Sequence, residues 1–248
     1  MLIFESSSKG RSAPAQYEKL ESVGDISELY LRKDGTGLPE VSELQVVRHF
    51  TNLSKKNFSI DGQFYPLGSC TMKYNPRGAH QAARFPGFLN RHPLAPENKS
   101  QGFLACMFEL QEYLRDLTGM EAVSLTPMAG AQGELAGVAM IRAYHEHNGD
   151  SNRSEILIPN AAHGTNPATA VMCGYQVREV GVTSGGDVDL DQLKKAVGPA
   201  TAGFMMTNPS TCGVFERQIE SIASVVHNAG GLLYYDGANL NAILGKVR

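Results

Sequence analysis

The pattern of apolar and polar positions divides the chain into two parts with different organisation. From about residue 96 onward, short apolar runs alternate with longer stretches whose apolar residues recur at helical spacing. Strands that alternate with helices favour right-handed crossovers and a largely parallel sheet with helices on both faces. We therefore predict an α/β fold for residues 96–248. The predicted strands are "AVSLT", "EILIP", "QVREVGV", "AGFMMT" and "LLYYD".

Helices are predicted between and before these strands. The stretch "SQGFLACMFELQEYLRDLTG" is typical of an amphipathic helix, with Gly119 as its C-terminal stop. A second helix is predicted from about Gln132 to Tyr144. The apolar face of the first helix would comprise Phe103, Cys106, Leu110, Leu114 and Leu117.

Residues 1–95 lack the alternation of strands and helices. "PEVSELQVVRHFTNLSKKN" predicts one amphipathic helix, and a stretch rich in Gly, Pro, Asn and aromatic residues follows from residue 58. Structureless loops of that length are rare in compact domains, and the apolar content argues against disorder. We predict an ordered, extended arm, so that residues 1–95 form a helix and arm and residues 96–248 form the first part of a larger domain.

Composition excludes several classes of function. The net charge is −3 without a block of like charges, which indicates neither a nucleic-acid surface nor an anionic-membrane surface. No signal-peptide core and no run of eighteen apolar residues is present, so we expect a cytoplasmic protein. The cysteines lack metal-ligand spacing; we expect reduced thiols and no metal site. They are Cys70, Cys106, Cys173 and Cys212.

A glycine-rich turn after "AVSLT" is the first candidate for ligand binding, because ligands of open α/β sheets bind beyond the carboxyl ends of the strands. In "PMAGAQGELAG", Gly130, Ala131 and Gln132 would open a helix whose free N–H groups and dipole favour an anion such as phosphate. The turn has neither the lysine of a P-loop nor a GxGxxG pattern. Close packing alone is the alternative explanation.

Other polar side chains follow the later strands. His163 comes after "EILIP", where its ring could cover a flat ligand; a hydrogen-bonded loop histidine is the alternative. Ser210 and Thr211 follow "AGFMMT" and could equally serve a turn. Asp236 ends "LLYYD", where a carboxylate would either meet a cation or cap a helix.

These groups together match the needs of pyridoxal 5′-phosphate (PLP): a helix start for its phosphate, a stacking partner for its ring and a carboxylate for its ring nitrogen. Enzymes that use PLP also need a lysine to hold it as a Schiff base. Lys246 lies only ten residues beyond Asp236. Another strand would normally carry the lysine back to the same edge, so we expect Lys246 not to be that residue.

Several motifs carry a resemblance to a known family. They are "LIFE", "YPLGSCTMKYNP", "GAQGELAG", "AHGTNPATA", "NPST" and "YYDGANLNAI". In this order and spacing they resemble the first half of the subunit 2 family of glycine dehydrogenase (decarboxylating), the P-protein of the glycine cleavage system. The resemblance implies a PLP-dependent transferase fold of type I, similar to the large domain of aspartate aminotransferase.

The resemblance also implies an activity and its partners. The family decarboxylates glycine and passes the aminomethyl group to the lipoyl arm of H-protein, in a heterotetramer with subunit 1. By the family pattern His163 stacks on the PLP ring, Asp236 pairs with the ring nitrogen and Ala238 lies against the other ring face. The turn of Gly130, Ala131 and Gln132 receives the phosphate, and Thr211 contacts the phenolic oxygen.

The arm segment "GSCTMKYNP" resembles one that reaches the active-site mouth. Ser69, Thr71 and Asn75 could then hold the substrate carboxylate or the lipoyl arm, unless the arm only braces a subunit interface. In the family an "HK" segment with the Schiff-base lysine follows "DGANLNAI" after a further strand, so we expect that lysine beyond Arg248. We therefore expect a piece of a longer protein that is inactive alone.

Two other functions remain open at this point. One is a non-catalytic assembly subunit that docks to subunit 1 through the arm. The other is a different α/β enzyme, such as a nucleotide-dependent one, which the missing P-loop lysine and GxGxxG pattern argue against.

Overall fold

The computed structural model describes residues 1–12, 24, 26–63 and 74–247. The predictions for Ser69, Thr71 and Cys70 lie outside these residues. The chain divides into two compact units, Met1–Leu67 and Gly68–Arg248. The division at residue 95 that the sequence pattern suggests stays a prediction.

The first unit is built around the predicted helix, which is confirmed as α1, Glu43–Ser54. Ser42 caps this helix: its hydroxyl accepts from the Gln45 N–H, and the Gln45 side chain accepts from the Ser42 N–H at 2.9 Å. Short 3-10 turns occur at Ile3–Ser6 and Glu28–Tyr30. The reciprocal cap explains why the helix begins directly after Ser42.

The second unit opens with two short helices, α2 at Arg77–Ala82 and α3 at Pro86–Leu89, and with the long helix α4 at Gln101–Thr118. Gly119 ends α4 in the left-handed conformation at φ +70°, as predicted for a C-terminal stop. No residue of α4 is buried, although its apolar positions recur at helical spacing. No helix in the described part of the chain is long and apolar enough to cross a membrane.

A parallel sheet of four strands forms the centre of the second unit. The strands are β1 (Glu155–Pro159), β2 (Gln176–Val180), β3 (Thr201–Thr207) and β4 (Leu232–Asp236). Their order is β2-β1-β3-β4, and every neighbouring pair is parallel. All four carboxyl ends therefore lie along one edge, which is where the sequence predicted the ligand site.

Helices cover both faces of the sheet. On one face α5 (Gly130–His147) and α6 (Thr165–Met172) bury Val138, Ile141 and Ala170 against the strands. On the other face α7 (Leu190–Ala196) and α8 (Ile219–Asn228) bury Leu193, Ile222 and Val226. β3 is buried along its whole length, which is typical of a central strand between two helical layers. The three-layer α/β fold is confirmed.

The first predicted strand is wrong for this structure. Residues 122–126, "AVSLT", form no strand and are mostly exposed. A strand needs a neighbour to satisfy its backbone groups, and none pairs with this segment within the described residues. Instead the Gln111 side chain of α4 donates a hydrogen bond to the Val123 carbonyl at 2.5 Å. Apolar composition alone did not predict whether a pairing partner would be present.

Candidate cofactor-binding site

Asp236 lies at the carboxyl end of β4 and receives three hydrogen bonds. The Thr207 hydroxyl and the Asn166 amide donate to its Oδ2 at 3.1 and 3.3 Å, and the Ala238 N–H donates to its Oδ1 at 3.0 Å. All three partners are donors, as an ionised carboxylate requires. A carboxylate offers about four acceptor positions, so Oδ1 retains capacity for a cationic N–H. The Ala238 contact shows that Asp236 also stabilises the turn that follows it.

Two buried polar side chains stand behind Asp236. Glu134 of α5 and Asn166 of α6 are 6% and 0% exposed, and the Asn166 amide donates to Glu134 Oε1 as well as to Asp236. Sequence reasoning missed both, although each lies inside a quoted motif. The available signal was a glutamate, the one charged residue of the motif "GAQGELAG".

Glu134 connects the candidate residues electrostatically. Burial raises its pKa, the hydrogen bond from Asn166 lowers it, the charge of Asp236 raises it and His163 lowers it, with a net increase. The structure therefore brings His163 and Asp236, predicted separately from two strand ends, into the surroundings of one buried carboxyl group.

The glycine-rich turn forms the start of α5, as predicted. The Gln132 N–H is bonded to the Ala129 carbonyl at 3.0 Å, and the Gln132 side chain accepts from the Met128 N–H at 2.6 Å. Within the described residues, the N–H groups of Gly130 and Ala131 have no hydrogen-bond acceptor. Glu134 is only one helical turn further on, about 6 Å along the axis. Two free N–H groups at a helix start thus lie one turn from the carboxylate cluster, and they suit an anion.

His163 lies in the loop between β1 and α6 and is exposed. The Thr165 N–H donates to its Nδ1 at 3.1 Å, which fixes the ring and leaves Nε2 to carry the proton of the neutral form. The ring of His163 is exposed, and its stacking on a flat ligand stays a prediction, while Nδ1 also fulfils the simpler role of a hydrogen-bonded loop residue.

Thr211 contacts this loop. Its hydroxyl donates to the Ala161 carbonyl at 2.6 Å, two residues before His163. The Ser210 hydroxyl accepts from the Cys212 N–H at 3.3 Å, so the turn interpretation of this residue holds. A cleft opens between the ends of β1 and β3, and residues lining it include Pro159, Ala162, Thr207, Thr211 and Glu216. The role of Thr211 toward a phenolic oxygen stays a prediction.

Two further predicted site residues, Ala238 and Asn75, are both exposed. Ala238 is exposed and adjoins the site through its N–H contact with Asp236. Asn75 is exposed just before α2, and no hydrogen bond in the described part of the chain joins it to Asp236 or its partners. No group of three potential metal ligands occurs among the residues that the structure describes.

Comparison with known proteins first defines the class of fold. Residues 131–242 match the aminotransferase class-V family. A solved glycine decarboxylase (P-protein) of the glycine cleavage system superposes with a TM-score of 0.63 at 23% identity, over 80% of this chain and 44% of that one. Sphingosine-1-phosphate lyase of Burkholderia pseudomallei superposes with a TM-score of 0.55 at 16% identity, over 86% and 49%. The second unit has the fold of the large domain of PLP-dependent, type I enzymes.

The relatives that match along the whole chain carry the name of one particular enzyme subunit. The chain is 67% identical over 249 residues to the probable glycine dehydrogenase (decarboxylating) subunit 2 of Legionella pneumophila (strain Lens), and 68% identical over 250 residues to that of Thioalkalivibrio sulfidiphilus. These alignments cover 100% of this chain but 51% and 50% of the relatives. The chain thus spans about half the length of the curated relatives it matches, and the resemblance to glycine dehydrogenase subunit 2 is confirmed.

Proposed function

We propose that this chain carries the PLP-binding part of a glycine dehydrogenase (decarboxylating). The reaction is decarboxylation of glycine with transfer of the aminomethyl group to the lipoyl arm of H-protein. The observation that carries the proposal is the Asp236 carboxylate, which is held by three donors at the sheet edge and retains an acceptor position. We place the protein in a prokaryotic cytoplasm.

The residues present fit PLP. Asp236 Oδ1 can accept from a protonated ring nitrogen, and the N–H groups of Gly130 and Ala131 can donate hydrogen bonds to a phosphate group at the start of α5. The exposed ring of His163 can cover one face of the cofactor, with Ala238 toward the other face.

When bound, PLP supplies an electron sink that accepts the electron pair left as glycine loses its carboxyl group. Asp236 holds the proton on the ring nitrogen, because an adjacent carboxylate favours the cationic form. His163 orients the ring by stacking, and Thr211 supplies a hydroxyl near the phenolic oxygen. Ser69, Thr71 and Asn75 would hold the substrate carboxylate or the lipoyl arm.

Lys246 is not the lysine that links the cofactor in this proposal. It lies in a turn after β4, where its N–H bonds the Ile243 carbonyl at 2.9 Å. Residues 237–247 form a 3-10 turn and further turns but no strand that would return to the carboxyl edge. We propose that the linking lysine lies in the part of the relatives that this chain does not cover.

Borohydride reduction after incubation with PLP, followed by mass spectrometry of peptides, tests this assignment. We expect no stoichiometric adduct on Lys246. A stoichiometric adduct there would overturn it and make the chain self-sufficient for cofactor attachment.

Exchange of labelled bicarbonate into the carboxyl group of glycine tests the activity. The assay contains subunit 1, lipoylated H-protein and PLP, and the remaining half of the Legionella relative is added or omitted. We expect exchange only with the added half, and loss of exchange in Asp236→Asn. Exchange that is equal in Asp236→Asn would contradict the proposal.

A further inference from the structure

The side-chain amide of Asn166 links two carboxyl groups of the second unit. It is fully buried, and its Nδ2 donates to both Glu134 Oε1 and Asp236 Oδ2. Its Oδ1 is buried and has no hydrogen-bond partner among the residues that the structure describes. A buried amide oxygen without a donor is costly, so this atom calls for a specific explanation.

Glu134 can supply the missing donor if it carries a proton. A neutral carboxylic acid has one acceptor oxygen and one O–H, and an amide has one donor and one acceptor to match them. An ionised Glu134 would offer only acceptors and would leave Asn166 Oδ1 unsatisfied. Glu134 and Asp236 would then be two negatively charged groups that accept from the same Asn166 amide nitrogen.

We propose that Glu134 is a neutral acid that forms a reciprocal pair with Asn166, donating its O–H to Asn166 Oδ1 and accepting from Asn166 Nδ2, and that it thereby positions Asp236. In this arrangement Asp236 is the single anion of the cluster. The amide cannot rotate without losing both bonds to Glu134, so its second hydrogen stays directed at Asp236 Oδ2. Glu134 is a positioning residue, since it acts through Asn166.

The charged and titratable groups around Glu134 agree with this assignment. Asp236 and Tyr234 face it from β4, and His163 faces it from the loop before α6. Burial is the largest influence on the pKa of Glu134 and raises it. Within the described residues no lysine or arginine forms an ion pair with Glu134. Only His163 favours the ionised form by its charge, and it is exposed to solvent.

The protonation state gives stability a distinctive dependence on pH. A carboxyl group whose folded-state pKa is raised binds a proton that the unfolded chain has already lost. Its contribution is complete below the unfolded-state pKa of about 4.3 and is lost as pH rises through the folded-state pKa. Glu134→Gln, which cannot ionise and has the same donor and acceptor pattern, should lack this loss.

Infrared difference spectroscopy of the chain without cofactor tests the shared proton directly. We expect the wild-type chain to show the carbonyl stretch of a protonated carboxylic acid near neutral pH, shifted in D₂O and absent in Glu134→Gln. Glu146→Gln is the matched control from the same helix, because Glu146 is ion-paired with Arg142 at 2.8 Å and 57% exposed. That variant should retain the band.

Cofactor affinity tests the positioning role, and this second step rests on the proposed function. PLP should bind Glu134→Gln within about twofold of wild type, because the amide mimics the neutral acid. Glu134→Ala should bind at least about tenfold more weakly, since Asn166 then loses both of its hydrogen bonds to Glu134 and is no longer held toward Asp236.

Three results would overturn the inference. They are the absence of the acid band in the wild type, a band that survives in Glu134→Gln, and an equal loss of PLP affinity in Glu134→Gln and Glu134→Ala. Wild-type chain that shows the band but fails to bind PLP would instead count against the proposed function.

Discussion

Thr207 and Asp236 are register partners at the carboxyl ends of β3 and β4, and the Thr207 hydroxyl donates to Asp236 Oδ2 at 3.1 Å. The donor and the acceptor of this hydrogen bond both belong to strands that are adjacent in the sheet, and neither lies in a loop. The parallel register places both side chains on the face that α5 and α6 cover, where Asn166 also reaches Asp236. The rigid sheet orients this carboxylate.

Removing the Thr207 hydroxyl should weaken cofactor binding. Thr207→Val keeps the shape and strand preference but leaves Asp236 with one donor fewer, and a hydrogen bond to a charged group contributes about 1.5–3 kcal/mol. We expect the Kd for PLP to rise by about tenfold or more in a fluorescence titration. Thr207→Ser, which retains the hydroxyl, should stay close to wild type. An unchanged Kd in Thr207→Val would show that this bond does not position Asp236.

Gly137 allows α5 to approach β4 closely. A Cβ at this position would lie 2.6 Å from Cδ2 of the Tyr234 ring, which is rigid and cannot yield as a flexible side chain would. Gly137→Ala should therefore lower the free energy of unfolding by about 1–3 kcal/mol in denaturant titrations.

Gly133, one turn earlier in α5, provides the control for this substitution. A Cβ there would meet no atom within 4 Å. Gly133→Ala should leave stability unchanged or raise it by up to about 1 kcal/mol, because alanine costs less conformational entropy in a helix. A stable Gly137→Ala protein would mean that α5 and β4 are further apart than described.

Asp187 should contribute stability that is lost in acid. Arg217 donates hydrogen bonds to it, including one from Nε at 3.2 Å, and lowers the pKa of the Asp187 carboxyl. A lowered folded-state pKa means that the contribution is present above the unfolded-state pKa of about 3.9 and disappears as pH falls through the folded-state value.

Asp187→Asn should consequently lower Tm at neutral pH and flatten its decline below about pH 4. Asp191→Asn removes a carboxylate of which 86% is exposed, and it should leave the acid limb of the Tm profile unchanged. The effect of Asp187 will be modest because 70% of the Arg217 side chain is exposed. Identical Tm profiles for the two variants would argue against the ion pair.

His163 should act through its ring face. Its Nδ1 is engaged by the Thr165 N–H, and its ring is exposed, so the ring face is open to a ligand. His163→Phe retains a flat ring and should weaken PLP binding less than His163→Ala, for which a loss of about 0.5–1.5 kcal/mol beyond buried area is typical of one aromatic contact. Isothermal titration with PLP measures both. Equal losses would indicate that the nitrogen, not the ring face, contacts the ligand.

Sequence periodicity predicted most helices and strands of the second unit, because burial of one face requires apolar residues at regular spacing within each element. β1 begins and ends where "EILIP" does, and α4 ends at Gly119, whose φ of +70° suits glycine. The segment 122–126 fails for a non-local reason. Its composition suits a strand, but a strand also requires a neighbouring backbone, and the sequence of one segment cannot specify that.

The sequence predicted the site residues that follow strand ends, but not the buried helical residues that contact them. His163 and Asp236 stand at strand ends, where topology alone predicts ligands. Glu134 and Asn166 lie inside helices, and their importance comes from burial and from one shared amide, which only packing reveals. The Thr207 hydroxyl, which donates to Asp236, was not predicted for the same reason, and the prediction that Thr211 contacts the phenolic oxygen of PLP is a separate one that stays a prediction.

The measurement that tests the central claim most directly is the ¹⁵N NMR shift of the ring nitrogen of labelled PLP bound to this chain. Pairing with Asp236 predicts a protonated nitrogen at neutral pH in the wild type and an unprotonated one in Asp236→Asn. A nitrogen that is unprotonated in the wild type, or identical in both proteins, would contradict the account, as would wild-type chain that binds no PLP.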